Sequence, residues 1–242
     1  MGTPVTPYQR SDSSKKQQVT EMFDNIAPKY DLLNHALSFG VDILWRRRAV
    51  NMLQAYQPKI VVDLATGTGD FAVEARKLKP EQIIGIDISP NMLEVGRQKI
   101  AEKGLSDLID MRIGDSEALD LATDSIDAMT VGFGVRNFEN LPKGLSEMCR
   151  VLKPGKAAIV LEPSFPTQFP MKQLFQFHFK VLTPLIGRFI SGDVAAYNYL
   201  PESVRAFPNG EEFCRICREA GFSKAEYQPL SFGICSLYLL EK

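Results

Sequence analysis

The feature that most constrains this chain is a strict alternation of short apolar runs with helical stretches. Lys59 to Leu64 is a β-branched run ending in a glycine-rich loop, the pattern of a strand buried on both faces of a parallel sheet. Phe71 to Leu78 then reads as a helix. Gln82 to Asp87 is a second strand, and Pro90 to Lys103 is a helix with Ser89 as N-cap and Pro90 at its first position. Leu108 to Ile113 and Ser125 to Val131 read as the third and fourth strands. Asn140 to Leu152 is a helix stopped by Pro154-Gly155, and Lys156 to Glu162 is a fifth strand. Strands separated by helical crossovers pair in parallel, so this order predicts an α/β, doubly wound sheet. After a helix over Glu211 to Ala220, the strands Lys224 to Pro229 and Phe232 to Leu240 are joined by a tight turn. A connection that short forces them antiparallel. The expected sheet is therefore seven-stranded and mostly parallel, with an antiparallel last strand.

The flanking segments complete the expected organisation. Residues 1–16 are polar, contain Pro4 and Pro7, and read as a flexible arm. Residues 17–242 read as a single domain: a helical cap over 17–57, a core over 58–164, an aromatic insert over 165–207, and a helix with a hairpin over 208–242. In the cap, Val19, Met22, Phe23 and Ile26 follow helical spacing, as do Leu44, Ala49, Met52 and Leu53, with a break expected from Asn34 to Gly40. With 45% hydrophobic and 24% charged residues, wholesale disorder is excluded. A net charge of −1 argues against nucleic acid as a partner bound through bulk positive charge. Four Cys and two His fit neither a disulfide framework nor a metal cluster, and a reducing, cytoplasmic setting is expected. Cys214 and Cys217 form a Cys-x-x-Cys inside a helical stretch, not the strand-to-helix turn of a redox motif. No apolar run is long enough to span a bilayer, and the amino terminus lacks the apolar core of a secretory signal.

The first loop reads Asp63-Leu64-Ala65-Thr66-Gly67-Thr68-Gly69-Asp70. Glycines there let the backbone turn sharply and approach a ligand, and the helix that follows offers unpaired N–H groups. Gly67 and Gly69 alone are also compatible with a dinucleotide site or with a ligand-free turn. Asp87 ends the second strand about 20 residues after Gly67, where a carboxylate accepts ribose hydroxyls in either ligand class. Asp63 separates the two classes. It sits inside the strand end, where a dinucleotide fold usually has an apolar residue, and can bond the loop's N–H groups or lie near a cationic ligand end. S-adenosylmethionine has no pyrophosphate, and its sulfonium and ammonium tolerate Asp63 and Asp70. After the third strand, Asp115 can accept from an adenine amino group, or Asp115 and Ser116 can cap a helix. Acidic loops after three successive strands, with a reversed last strand, resemble the class I, Rossmann-like S-adenosylmethionine-dependent methyltransferases.

A narrower resemblance covers nearly the whole chain. Tyr30-Asp31-Leu32-Leu33-Asn34, Ser38 and Trp45 resemble the first signature of the menaquinone and ubiquinone biosynthesis C-methyltransferases. Arg150-Val151-Leu152-Lys153-Pro154-Gly155 with Glu162-Pro163-Ser164 is similar to their second. Phe133-Gly134-Val135-Arg136-Asn137, Phe23-Asp24-Asn25-Ile26-Ala27 and Tyr199-Leu200-Pro201-Glu202-Ser203 match as well. The chain departs at Asp42, where His is common, at Leu33, and at Lys156 and Ala158. The resemblance implies methyl transfer from S-adenosylmethionine to a ring carbon of a lipid-tailed quinol. The expected acceptor is demethylmenaquinol, giving menaquinol; the alternatives are the benzoquinol precursor of ubiquinone or another small acceptor. It implies cofactor contacts at Thr68, Asp87, Asp115, Ser116 and Gly132, with only backbone available at Gly132, where relatives often carry Ser. Tyr30, in the cap, is expected either at the donor or in helix packing. A nicotinamide oxidoreductase is disfavoured by Asp63, Asp115 and the closing hairpin. A donor-binding regulator without activity is disfavoured by Asp87 with Arg136 and Asn137.

Methyl transfer from a sulfonium is an in-line displacement that needs alignment and an electron-rich carbon rather than a metal. Arg136 is expected to steady a developing phenolate, with a water as proton acceptor oriented by Asn137 and Asp115. The alternative for Arg136 is a structural ion pair. Phe165, Phe169, Phe175, Phe177, Phe179, Phe189, Tyr197, Tyr199 and Phe207 crowd the insert, and Phe165, Tyr197 and Tyr199 are the expected acceptor contacts. The stretch Met171 to Val181 interleaves apolar residues with Lys172, His178 and Lys180, as peripheral contact with the inner face of a membrane would require. A homodimer is compatible with the sequence.

Overall fold

The computed structural model describes residues 5–166, 168–177 and 194–242. Among these residues seven strands form one sheet in the order β3-β2-β1-β4-β5-β7-β6. The strands are β1 (Ile60–Leu64), β2 (Gln82–Asp87), β3 (Ile109–Ile113), β4 (Ile126–Gly132), β5 (Leu152–Pro163), β6 (Lys224–Leu230) and β7 (Cys235–Glu241). β1 to β5 pair in parallel, whereas β7 lies antiparallel between β5 and β6. The strand order reverses at β1, which is flanked by β2 and β4. Crossovers leaving β1 in opposite directions open a crevice beyond the carboxyl ends of these strands, and ligands of open α/β sheets bind there.

Each strand serves two cores because successive side chains point to opposite faces. Val62, Leu64, Ile84, Met129 and Val160 share one face with helices α6 (Leu141–Val151) and α9 (Glu211–Glu219). Val61, Ile83, Ala128, Ile159 and Leu237 share the other with α3 (Val41–Leu53), α4 (Asp70–Ala75) and α5 (Pro90–Glu102). Cys214 and Cys217 are core residues of α9, and burial pushes their thiols up, that of Cys214 to about 11. They are packing groups.

The amino-terminal part is more ordered in its contacts than an arm. Helix α1 (Lys15–Ile26) starts with a capping box in which Ser14 accepts from Gln17 N–H and the Gln17 side chain accepts from Ser14 N–H. The fully buried Gln18 amide accepts from Tyr8 N–H at 3.1 Å and donates to the carbonyls of Arg10 and Ser13, both at 3.0 Å. Val5 and Tyr8 pack beside Val19 and Met22. One buried amide thus ties the backbone of Tyr8, Arg10 and Ser13 to α1 in a segment that composition alone reads as mobile. The break expected from Asn34 to Gly40 is also shorter. Helix α2 (Tyr30–Ser38) runs through Asn34, and the chain turns at Phe39 and Gly40, both left-handed with φ of 52° and 74°. In the insert, α7 (Met171–Phe177) and α8 (Val194–Ala206) are described. His178, Phe179, Lys180, Val181 and Phe189, and the side chains of Phe177 and Tyr197, lie outside the described residues.

Candidate active site at the carboxyl edge of the sheet

The crevice at the reversal point holds a cavity. Its walls are the loops that leave β1 to β4, covered by α1 and the start of α2. The loop after β1 contributes Ala65 and Gly67, β2 contributes Ile86 and Asp87, the loop after β3 contributes Asp115 and Ser116, and β4 contributes Gly132 and the loop to Asn137. Lys16, Val19, Phe23 and Tyr30 close it from the cap. The structure therefore brings Tyr30, Gly67, Asp87, Asp115, Ser116, Gly132 and Asn137 to one cavity.

Asp87 is held by the loops on either side. Its Oδ2 accepts from Gly67 N–H at 2.7 Å and its Oδ1 from Ser89 N–H at 2.9 Å. Burial raises its carboxyl above the usual range, against backbone hydrogen bonds from Ser89, Gly67 and Ile88. Gly67 adopts φ of +54°, and a β-carbon there would stand 3.7 Å from Cε1 of Tyr30, so the loop passes close to the cap. The Tyr30 hydroxyl is raised by burial, with a hydrogen bond to Asn34 opposing. Asp115 accepts from Lys16 Nζ at 2.7 Å and from Glu117 N–H at 2.9 Å. Burial would raise its carboxyl, but these bonds hold it below the usual range. Lys16 also bonds Glu117 at 3.2 Å, so the first turn of α1 is tied to the loop after β3. Lys15, beside it, donates to the carbonyls of Arg136 and Phe138 at 3.0 and 2.8 Å. Burial, reinforced by Arg136, brings the Lys15 ammonium down to about 8. A β-carbon on Gly132 would press Cδ1 of Phe71 at 3.0 Å, so a serine there needs that ring to give way.

Three of the expected donor contacts lie behind this wall. Asp63 is fully buried and accepts from the hydroxyls of Thr66 and Thr130 and from Ala72 N–H, the latter two at 2.7 and 3.0 Å. Of the two roles open to it, bonding the loop is the one the geometry displays, and burial raises its carboxyl to about 6. Thr68 is buried, donates to Asp31 Oδ1 and accepts from Lys99 Nζ at 3.1 Å, which ties the glycine loop to α2 and α5. Gly69 packs against Ile100 and Met111 at φ of +82°. Beneath α2, Asp42 is buried and accepts from Ser38 at 2.6 Å, from His35 Nδ1 at 3.0 Å and from Arg46. Arg46 also bonds Asp70 at 3.2 Å, so a guanidinium bridges the acids that gather with His35.

The loop after β4 carries the remaining candidates. The half-buried Arg136 pairs with the buried Glu162 at 3.0 Å, and Glu162 also accepts from Arg136 N–H at 3.2 Å. The structural ion pair, the alternative for Arg136, is thus present. It leaves Arg136 Nε buried without a hydrogen-bond partner. Tyr199 is buried on α8 and donates to Asn137 Oδ1 at 3.0 Å, and burial pushes its hydroxyl up to about 12. It also packs beside Val19 and Met22, so it joins the insert to the cap and to the loop after β4. Phe165 packs on Phe175 at 5.5 Å with Arg205 over its ring and does not line the cavity. Sequence reasoning missed Lys15, Lys16, Glu117 and Phe138. The Ser14-x-x-Gln17 box was the signal that α1 begins early enough to bring both lysines in.

The residues 11–242 match the model of the ubiE/COQ5 methyltransferase family. A demethylmenaquinone methyltransferase of Bacteroides fragilis is 49% identical over 239 residues, covering 98% of this chain and 97% of that protein. A ubiquinone/menaquinone biosynthesis C-methyltransferase UbiE of Geobacter sulfurreducens is 41% identical over 240 residues, covering 98% of this chain and 93% of that protein. Among solved structures, a SAM-dependent methyltransferase from Thermotoga maritima, described as a possible histamine N-methyltransferase, superposes with a TM-score of 0.64 at 20% identity, covering 92% of this chain and 99% of that one. That likeness concerns the fold, which hosts several reactions. The near full-length identity and the family match reach further: this chain belongs to the ubiE/COQ5 methyltransferase family.

Proposed function

We propose that the protein transfers the methyl group of S-adenosylmethionine to a ring carbon of a polyprenylated quinol, with demethylmenaquinol as the acceptor. The observation that carries this reading is the 49% identity, over almost the whole of both chains, to a demethylmenaquinone methyltransferase. The chemistry of the cavity supports the donor. Asp87, Asp115, Glu117 and Glu139 line it against a single cation, Lys16. Such a lining repels a pyrophosphate and suits a sulfonium and an ammonium. Close backbone approach is built in, since a β-carbon on Gly134 would stand 2.5 Å from that of Ala65.

Asp87 has a lone pair left on each oxygen for the ribose hydroxyls. Asp115 and Ser116 face the adenine, with Ile86, Ile88 and Met92 as apolar walls. S-adenosylmethionine supplies an activated methyl on sulfur when bound. Arg136, in the same loop as the cavity residues Gly134 and Asn137 and fixed in direction by Glu162, would steady a phenolate oxygen by its charge. Asn137, held by Tyr199, orients the water that takes the phenolic proton. Tyr199 acts as a positioning residue.

The benzoquinol precursor of ubiquinone is the second reading, favoured by the Geobacter relative, whose name covers both pathways. Among the described residues no helix is long and apolar enough to cross a membrane. The test is incubation with methyl-labelled S-adenosylmethionine and each reduced quinone in turn, followed by mass analysis of the lipid. Label in the naphthoquinol ring alone supports the first reading. Label in the benzoquinol alone transfers the assignment to the second, and label in neither ends both.

A further inference from the structure

Eight large apolar side chains are exposed among the described residues, and they are not scattered. Phe39 joins α2 to α3, Ile43 and Leu44 lie in the first turn of α3, and Phe232 occupies the turn from β6 to β7. Phe169 follows β5, and Ile113 ends β3. All six belong to the carboxyl edge of the sheet, the edge that holds the cavity. The direction of α3 fixes its part. Trp45 packs on Phe133, just after β4, at 6.4 Å, whereas Tyr56 beyond the far end of α3 donates to Glu241 at the end of β7. Leu32 lies on α2 with the cavity residue Tyr30, and Tyr227, within β6, is the exception. Single exposed apolar residues need no explanation, but a concentration on one rim does.

Two of these positions are costly in themselves. Phe39 and Phe232 have φ of 52° and 58°, a conformation that residues with a β-carbon seldom adopt and Asn tolerates better. The two residues are 75% and 82% exposed. The rim also connects with the cavity. Phe133 lines the cavity, Trp45 packs on Phe133, and Trp45 Nε1 donates to Ser231 Oγ at 2.9 Å, next to Phe232. On the next turn of α3, Arg47 and Arg48 are exposed. Arg48 bonds the neutral amide of Gln228 at 2.8 Å, and Arg47 stands 3.9 Å from Glu74.

We propose that this rim is a membrane-docking face: Phe39, Leu44, Phe169 and Phe232 enter the interfacial layer of an anionic bilayer, Arg47 and Arg48 meet its phosphates, and a quinol head passes Trp45 and Phe133 into the cavity. Separate aromatic loop tips flanked by cations suit a fluid interface better than a second protein surface. The inference rests on the lipid-tailed acceptor proposed above and adds where the lipid is met.

The experiment is flotation of the full-length protein with phosphatidylcholine vesicles, with and without phosphatidylglycerol. The wild type is compared with Phe39→Asn/Phe232→Asn and with Arg47→Gln/Arg48→Gln. The wild type should float with the anionic vesicles. The phenylalanine variant should need at least about tenfold more lipid, and the arginine variant should lose the preference for phosphatidylglycerol. On a tail-less naphthoquinol in solution the phenylalanine variant should turn over as the wild type does. On a long-tailed quinol in vesicles its kcat/KM should fall by about tenfold. The docking face is overturned if the wild type stays unbound at every lipid concentration, or if the phenylalanine variant floats equally well. It is also overturned if sedimentation shows a dimer that this variant dissolves while vesicles capture neither form. If the wild type methylates neither quinol, the acceptor reading fails, and flotation still decides the surface.

Discussion

Replacing Asp87 with Ala should weaken donor binding by about 10- to 150-fold. Each Asp87 oxygen already accepts one backbone N–H, from Gly67 at 2.7 Å and from Ser89 at 2.9 Å. A carboxylate offers about four lone-pair sites, so about two remain, one per oxygen, spaced to take the two ribose hydroxyls. A hydrogen bond to a charged group contributes about 1.5–3 kcal/mol. Taking the loss of one such bond as the minimum, at about 1.4 kcal/mol per decade, gives the stated range. The assay is titration calorimetry with S-adenosylhomocysteine at pH 7, with circular dichroism to verify folding. Asp87→Asn is the companion variant. It keeps one acceptor oxygen but turns an amide N–H₂ toward one of the two backbone donors, so it should lose affinity too. Because burial raises the Asp87 carboxyl, wild-type affinity should start to fall at a pH above the range of an exposed aspartate. If both variants bind within about twofold of wild type, no hydrogen bond of this size exists and the assignment of Asp87 to the ribose is wrong.

Arg136→Ala should lower turnover by about 10²–10³ at saturating donor while leaving S-adenosylhomocysteine affinity nearly unchanged. It strands the buried Glu162, so Arg136→Ala/Glu162→Ala separates lost chemistry from lost folding, and wild-type turnover in a folded double variant would discard the phenolate role. Asp63 gives a signed pH dependence. Its folded-state carboxyl lies at about 6 against 3.8 ordinarily, so its contribution is present at low pH and lost as pH rises through that value. At about 1.4 kcal/mol per unit, urea unfolding should show the advantage of wild type over Asp63→Asn shrinking by about 2.4 kcal/mol between pH 4 and pH 7, and a constant difference would contradict it. Gly134→Ala places a β-carbon 2.5 Å from that of Ala65 and should cost about 1–3 kcal/mol, read as a fall in Tm; an unchanged Tm would mean that the loop after β4 is free to move.

The fold was legible because its determinants are local. Strand runs, a proline after an N-cap serine at Pro90, and a hairpin too short to cross over each specify their element without distant help. The glycine loop and Asp87 were legible for the same reason, since strand ends in a parallel sheet converge on one edge. Segments governed by distant contacts were not. The segment before α1 looks mobile until the buried Gln18 amide is seen to bond the backbone of Tyr8, Arg10 and Ser13, and Asn34 looks like a helix stop until α2 continues past it to Ser38.

The sequence by itself determined the succession of strands along the chain, the antiparallel last strand and the acidic residues at the strand ends, because periodicity and turn length are properties of neighbouring residues; the order of the strands in the sheet came from the structure. Only the tertiary structure decided what each acid does. Asp63 and Thr68 face inward and brace the loop, Asp87 and Asp115 face the cavity, and Arg136 is split between Glu162 and an unpaired Nε. A carboxylate's role depends on which donors reach it, and the donors here come from residues such as Lys16, Thr130 and Ala72. Only folding brings them within 3 Å or so of their partners.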